Sequence, residues 1–255
     1  MKKRMYFLVG CFLASVFLGF LAFEYGLWMI GLAFVLIFLA ISFSYPLEAF
    51  YFLVAYLPWQ IALNLAQGFD VLSGRILIVL FFISWLVRLF LKKEKINKKI
   101  LLPSGVLAVF LLLAVLSLSV AVQPVWGLRK FLVFISSWPL FFVAAHLIDS
   151  ETKLKRFIKT ISFSSGFMAL VALGQFIAQF LWGIEKIKIF LSHFVAPYFF
   201  GKTTAELVLK DPSWLVEIGG RVWLRALGLF PDPHSFAFFL GLNFCFVFGA
   251  IFYQK

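Results

Sequence analysis

The chain has 255 residues, of which 64% are hydrophobic and 13% charged, and its mean hydropathy is +1.04. This composition excludes an ordinary water-soluble globular domain and predicts an integral membrane protein. No polar linker or internal repeat divides the chain, so we expect a single membrane domain over residues 1–255.

Apolar runs follow one another along the chain, each close to the roughly 20 residues that a helix needs to cross a bilayer. They are Tyr6–Phe23, Leu27–Phe43, Leu47–Leu65, Val71–Leu91, Leu101–Ala121, Phe131–Ile148, Ile158–Trp182 and Ser235–Tyr253. Pro58, Gln60 and Asn64 interrupt the third run, which could therefore be a kinked or half-buried helix. The pattern predicts an all-α, polytopic membrane protein with about eight transmembrane helices and one longer external loop, Gly183–His234.

Basic clusters set the expected orientation of the spans, because lysine and arginine in short loops stay in the cytoplasm. Lys2, Lys3 and Arg4 predict a cytoplasmic N-terminus, and eight crossings then place the basic runs at 88–99 and 153–159 on the same side. These clusters suit anionic lipid headgroups, and we do not expect nucleic acid as a partner.

The external loop divides into three parts. The first is predicted to be an amphipathic helix in the headgroup plane, whose apolar positions recur at helical spacing. Those positions are Ile184, Ile187, Leu191 and Phe194. The second is a short helix, since Thr203 and Glu206 form a capping-box pattern. The third part leads into the polar stretch Arg221–Phe236 at the mouth of the last apolar run.

Arg221 and Arg225 lie four residues apart and so share one face, which predicts a single anionic partner. Asp232 is a good N-cap and Pro233 suits the first position of the last helix. The free N–H groups of that helix would then help to bind the anion. Asp232 would oppose an anion there unless it caps the helix or acts as a base.

Two further arginines are predicted on the same side of the membrane. Arg129 stands at the outer start of the sixth run, and Arg75 lies near the outer end of the fourth. Guanidinium groups bind phosphate oxygens in pairs, which makes all four arginines candidate ligands of a pyrophosphate. The alternative is an arginine that merely reaches a lipid headgroup. We favour this alternative for Arg75 taken alone, favour the anion site for Arg221 and Arg225, and leave Arg129 open.

The segment after Arg225 resembles the O-antigen ligase and polymerase superfamily of bacterial envelope enzymes, whose members commonly show R-x-x-G-x-F-x-x-P-N at this place. The segment Trp126–Lys130, WGLRK, is similar to another part of that family. The turn after Arg225 is formed by Gly228, Phe230, Pro231, Asp232, Pro233 and His234. His234 stands where asparagine is usual, so we do not assign it as a catalytic acid.

The resemblance implies glycosyl transfer without metal or cofactor on the external face of the bacterial cytoplasmic membrane. The donor would be an oligosaccharide on undecaprenyl pyrophosphate, and the acceptor a glycan or glycolipid. Arg225 and Arg129 would neutralise the departing pyrophosphate, with Arg221 and Arg75 as second-rank candidates. In the family a later external loop supplies a catalytic histidine, so the chain is expected to be the N-terminal part of a longer protein, with no catalytic residue of its own assigned.

Other functions stay open beside the ligase. A polymerase of the same superfamily differs mainly in its acceptor, and a third possibility is an inert fragment. A flippase or transporter of polyprenyl-linked sugars would share the basic external site. It would also predict ionisable residues near the middle of the bilayer and repeated discontinuous helices, and the apolar runs contain almost no such residues.

Overall fold

The computed structural model of the chain describes residues 27–66, 69–91, 101–210 and 213–253. The fold is all-α, with small antiparallel hairpins at one end. Its helices are α1 Leu27–Ser44, α2 Pro46–Tyr56, α3 Ser73–Phe90, α4 Leu101–Ser117, α5 Pro124–Leu147, α6 Glu151–Trp182, α7 Ile184–Phe190, α8 Ala196–Phe199, α9 Lys202–Lys210 and α10 Pro233–Tyr253. Its strands are β1 Ala62–Ala66, β2 Phe69–Leu72, β3 Leu215–Ile218 and β4 Arg221–Leu224.

Most of the predicted apolar runs form helices. Within the described ranges four helices are long and apolar enough to cross a membrane: Ser73–Phe90, Pro103–Val120, Pro124–Leu147 and Glu151–Trp182. The apolar parts of α1 and α10, Gly31–Ser44 and Pro233–Gly249, are shorter. The first predicted run, Tyr6–Phe23, lies outside the described residues.

The third run does not form a helix through Leu65, so that prediction is wrong in its second half. Helix α2 has 11 residues, which corresponds to a length of about 16 Å at about 1.5 Å per residue. A 3-10 turn over Leu57–Trp59 follows, and then β1 pairs with β2 in a hairpin with Ala62 opposite Leu72. Pro58 fits this change of direction because it lacks an N–H group for a continuing helix. The backbone N–H and C=O groups of β1, which would have bonded within a continuing helix, find partners in the hairpin instead.

The main core joins α2, α3 and α5. Phe50, Leu53, Phe81 and Val143 are among its fully buried side chains. A second core holds the segment between α6 and α10 together around Trp214 and Leu224, on which α7 and α9 pack. The two cores lie toward opposite ends of the long helices, and the second one supports the candidate site.

The contacts between helix ends separate the molecule into two poles. At one pole Arg156 donates to both carboxylate oxygens of Glu48, at 2.8 and 2.6 Å, and the Tyr51 hydroxyl donates to the Lys153 carbonyl. Arg88 donates to the Phe43 carbonyl at the same pole. The chain direction of α2 and α6 places the hairpins and helices α7 to α9 at the opposite pole, which we call the hairpin pole.

Candidate functional site

A cavity of about 500 Å³ opens at the hairpin pole between β2, α3, α5 and α9. It brings together Arg75 from the first turn of α3 and Arg129 from the second turn of α5. Asp70, Thr203 and Thr204 line the same cavity. Two of the four predicted arginines therefore share one site.

The lining of this cavity changes from polar to apolar along the helices. On α3, Val79 and Leu80 follow Arg75 one turn later, and on α5 Leu132 and Val133 follow Arg129 in the same way. Residues three and four apart lie on the same face of a helix, so each arginine precedes a largely apolar stripe that runs away from the hairpin pole and, on α5, reaches Ser136. A charged headgroup at the rim and an apolar chain below it match this gradient.

Arg129 rests on an aromatic ring beside the cavity. Its guanidinium carbon lies 5.4 Å from the centroid of the Trp126 ring, within the range of a cation–π interaction. The Trp126 side chain is exposed and lines the cavity as well. Arg129 thus contacts an aromatic side chain that lines the same cavity.

Asp70 connects the hairpin to the start of α9. The Asn64 amide donates to its Oδ1 at 2.8 Å, and the backbone N–H of Thr203 donates to its Oδ2 at 2.7 Å. Burial would raise the pKa of Asp70, but these hydrogen bonds outweigh it and hold the pKa below its ordinary value. A Cβ at Gly201, where φ is +88°, would lie 2.6 Å from the Asp70 carboxyl carbon, so glycine is required for this close approach.

The capping-box prediction for Thr203 is therefore wrong. Helix α9 begins at Lys202, and the free N–H at its start is satisfied by Asp70, which is 133 residues away in sequence. The cap comes from another element because the hairpin packs directly on this helix end.

Arg75 also borders a second cavity of about 670 Å³ toward the middle of the helices. Its walls include Phe50 and Phe141 and, from the other side of the molecule, Phe230 and Phe239. Gln60 and Asn243 add amide groups to a wall that is otherwise largely apolar. Arg75 thus lines both cavities.

Two glutamines one turn apart on α6 hold the loop that carries Arg225 by hydrogen bonds. Leu224 N–H donates to Gln179 Oε1 at 2.9 Å, while Gln179 Nε2 donates to the Leu224 carbonyl at 3.2 Å. One turn earlier, Gln175 Oε1 accepts from the N–H groups of Leu227 and Gly228 at 3.0 and 3.1 Å. The side chains replace the partners that a neighbouring strand would supply.

Two further contacts hold this loop. The Trp214 indole N–H donates to the Pro231 carbonyl at 3.0 Å, and the Arg225 N–H donates to the Trp214 carbonyl at 2.7 Å. Gly228 has φ of +60°, and a Cβ there would lie 3.0 Å from the sulfur of Met168. The predicted turn is thus a packed structure, with Phe230 directed to the second cavity.

Asp232 caps α10, as predicted. Its Oδ1 accepts from the Ser235 N–H at 2.9 Å and its Oδ2 from the Ser235 hydroxyl at 2.6 Å, while Pro233 is the first residue of the helix. Burial would raise the pKa of Asp232, but the bonds from Ser235 and His234 outweigh it and hold the pKa below its ordinary value. The capping carboxylate accepts from the N–H of Ser235, and the anion site expected at this helix start stays a prediction.

The other two predicted arginines lie apart from the cavity. Arg221 is exposed in β4 opposite Ile218, and Arg225 is half-buried just after the same strand. Neither residue lines the space that Arg75 and Arg129 share. His234 is exposed on the first turn of α10. Of the four predicted arginines, Arg75 and Arg129 line this cavity and Arg221 and Arg225 do not, while their roles in binding stay predictions.

No protein-family model, curated protein or solved structure matches the chain. Among the described residues, no group of three or more His, Cys, Asp or Glu side chains could hold a metal ion. The geometry of the two cavities is therefore what bears on function. Sequence reasoning missed Asp70, Gln175 and Gln179. The available signals were a lone carboxylate between the third and fourth apolar runs and two glutamines four residues apart within the seventh run.

Proposed function

We propose that the chain is a polytopic protein of the bacterial cytoplasmic membrane that binds the pyrophosphate of a lipid-linked glycan and takes part in O-antigen ligase-like glycosyl transfer. The observation that carries the proposal is the cavity that Arg75 and Arg129 share, cationic at its rim and apolar below. The resemblance in sequence around Arg225 and Trp126 supports the same class of reaction.

The long apolar helices support the membrane location. Their outward side chains are large and hydrophobic, such as Phe163 and Leu170 of α6 and Phe238 of α10. Such a surface is costly in water and ordinary in lipid. The hairpin pole would face the outside, because the basic residues of the first turns of α6 lie at the other pole.

In this proposal Arg75 and Arg129 act on the leaving group. An acceptor hydroxyl forms a bond to the anomeric carbon of the donor sugar, the bond from that carbon to the pyrophosphate oxygen breaks, and the hydroxyl proton passes to a base that we do not assign. Negative charge grows on the departing pyrophosphate, and two fixed guanidinium groups stabilise it. The apolar stripes of α3 and α5 would receive the first part of the polyprenyl chain.

Binding to the reconstituted protein tests the proposal. Arg75→Ala and Arg129→Ala should each weaken binding of undecaprenyl pyrophosphate about tenfold or more, because a hydrogen-bonded charge is removed. Arg221→Ala is the matched control, since Arg221 is exposed on β4 outside the cavity, and it should bind normally. Unchanged affinity in both cavity variants would contradict the proposal.

A transporter of the same lipid is the second candidate. The buried amide of Asn243 favours it, since this residue lies in the middle of α10 and borders the second cavity. Polar groups at such a depth often mark a substrate path. Vesicles separate the two functions: a ligase joins the labelled glycan to an added acceptor, whereas a transporter moves the labelled lipid between leaflets and joins nothing.

A further inference from the structure

The external segment after α6 has two apolar faces. Ile187 and Leu191, each 3% exposed, and Val195 pack on the second core. On another face Phe190, Phe194 and Tyr198 are 51%, 64% and 59% exposed, and the rings of Phe190 and Phe194 stack at 5.5 Å. We call these three side chains the aromatic face.

This arrangement corrects the predicted amphipathic helix. Ile187 and Leu191 were expected to contact lipid, and they contact the protein instead. A π-helical turn over Leu191–Val195 contributes, because it takes more residues per turn than an α-helix and keeps Val195 on the side of Ile187 and Leu191. The lipid-facing role is thereby left to the aromatic face.

The aromatic face follows shortly after exposed apolar side chains at the end of α6. Phe180, Leu181 and Trp182 at the end of α6 are exposed, and Gly183 alone separates α6 from α7. A helix that starts one residue after the end of an apolar span must lie close to the membrane surface. Lys186 stands four residues before Phe190, at the start of the same face, and suits anionic headgroups.

We infer that the aromatic face is seated in the outer leaflet of the bilayer, at the boundary between headgroups and acyl chains. Phe190 and Phe194 enter this boundary, Tyr198 keeps its hydroxyl among the headgroups, and Lys186 reaches lipid phosphates. The inference rests on the membrane location proposed above and not on glycan transfer. Helix α9 follows closely in sequence, and its Thr203 and Thr204 line the cavity that Arg75 and Arg129 share. Contact with the membrane would therefore restrict the motion of one wall of this cavity.

Single-cysteine variants test the inference in vesicles of phosphatidylcholine and phosphatidylglycerol. Cys11 and Cys245 are replaced by serine, and an NBD fluorophore is attached at Phe194→Cys. Glu185→Cys, exposed on the same helix, is the control for water. Leu170→Cys, 63% exposed on α6, is the control for the bilayer interior. Quenching is measured with lipids carrying a doxyl group at position 5 or 12 and with iodide in water.

We expect the probe at residue 194 to be quenched by the 5-doxyl lipid and shielded from iodide, and the probe at residue 185 to show the reverse. Access of iodide at residue 194 without doxyl quenching would place the face in water and overturn the inference. Shielding from both quenchers would show a protein contact and overturn it as well. If residue 170 is quenched by the 12-doxyl lipid and residue 194 is not, the inference alone fails. If residue 170 is also not quenched, the membrane location fails too.

Discussion

At the scale of residues, two glutamines on α6 hold the same loop with different atoms. Gln175 binds it through Oε1, which accepts both hydrogen bonds. Gln179 both donates and accepts, and its side chain is buried. A carboxylate has two acceptor oxygens and no donor, so the two positions should respond differently to the same substitution.

We therefore expect Gln175→Glu to change the thermal stability little and Gln179→Glu to lower it. At residue 179 the new carboxylate loses the donor and meets the Leu224 carbonyl, at a cost of about 1–3 kcal/mol. The apparent melting temperature in detergent should fall by about 2–4 °C for each kcal/mol. Equal melting temperatures for the two variants would contradict these roles.

At the scale of elements, Asp70 joins the β1–β2 hairpin to α9 beside the cavity that Arg75 and Arg129 share. We call this contact the latch. Asp70 accepts both hydrogen bonds of the latch, one from the Asn64 amide and the other from the Thr203 N–H at the start of α9. Asparagine replaces one of these two oxygens by an NH2 donor, so the bond to that oxygen is lost. The latch also depends on charge, because the pKa of Asp70 is lowered in the folded protein.

Asp70→Asn should reduce the protection of Lys202–Lys210 against hydrogen exchange at neutral pH. A carboxyl with a lowered folded pKa stabilises the structure above its unfolded pKa, and that stability is lost as the pH falls through the folded value. The native latch should therefore loosen only in acid, below the ordinary value of 3.8, and the variant should not respond to pH there. Asp232→Asn, which removes a similar carboxylate from α10, is the control and should leave α9 protected.

At the scale of the whole molecule, the two poles would give the chain a direction across the proposed membrane. Arg156, Glu48 and Lys153 meet at one pole, while the arginine cavity and the aromatic face lie at the other. The proposed chemistry needs the cavity on the outside, where the lipid-linked donor is used. Orientation is therefore the property on which the proposal depends most.

Cysteine labelling from one side measures this orientation. Glu217 and Thr152 are exposed at opposite poles. With Cys11 and Cys245 replaced by serine, an impermeant maleimide added to spheroplasts should label Glu217→Cys at once and Thr152→Cys only after the membrane is opened. The opposite pattern would place Arg75 and Arg129 in the cytoplasm and reject the proposed glycan transfer.

The sequence by itself determined the helices, since their signals are local. Apolar runs predicted α1, α3 and α10 closely, and Asp232 with Pro233 marked the start of α10 because an N-cap acts within one turn. Helices α5 and α6 begin well before the sixth and seventh runs, and the third run differs most. Its apolar composition extends beyond Tyr56, and the hairpin that replaces the helix needs pairing between residues on both sides of a turn.

Only the tertiary structure decided which polar groups meet. Arg75 shares a cavity with Arg129 and not with Arg225, because α3 and α5 pack side by side while the loop after β4 is held on α6. The decisive hydrogen bonds join residues 133 and 45 positions apart in sequence. Their geometry depends on how whole helices pack, and the local patterns that form a helix contain no information about that packing.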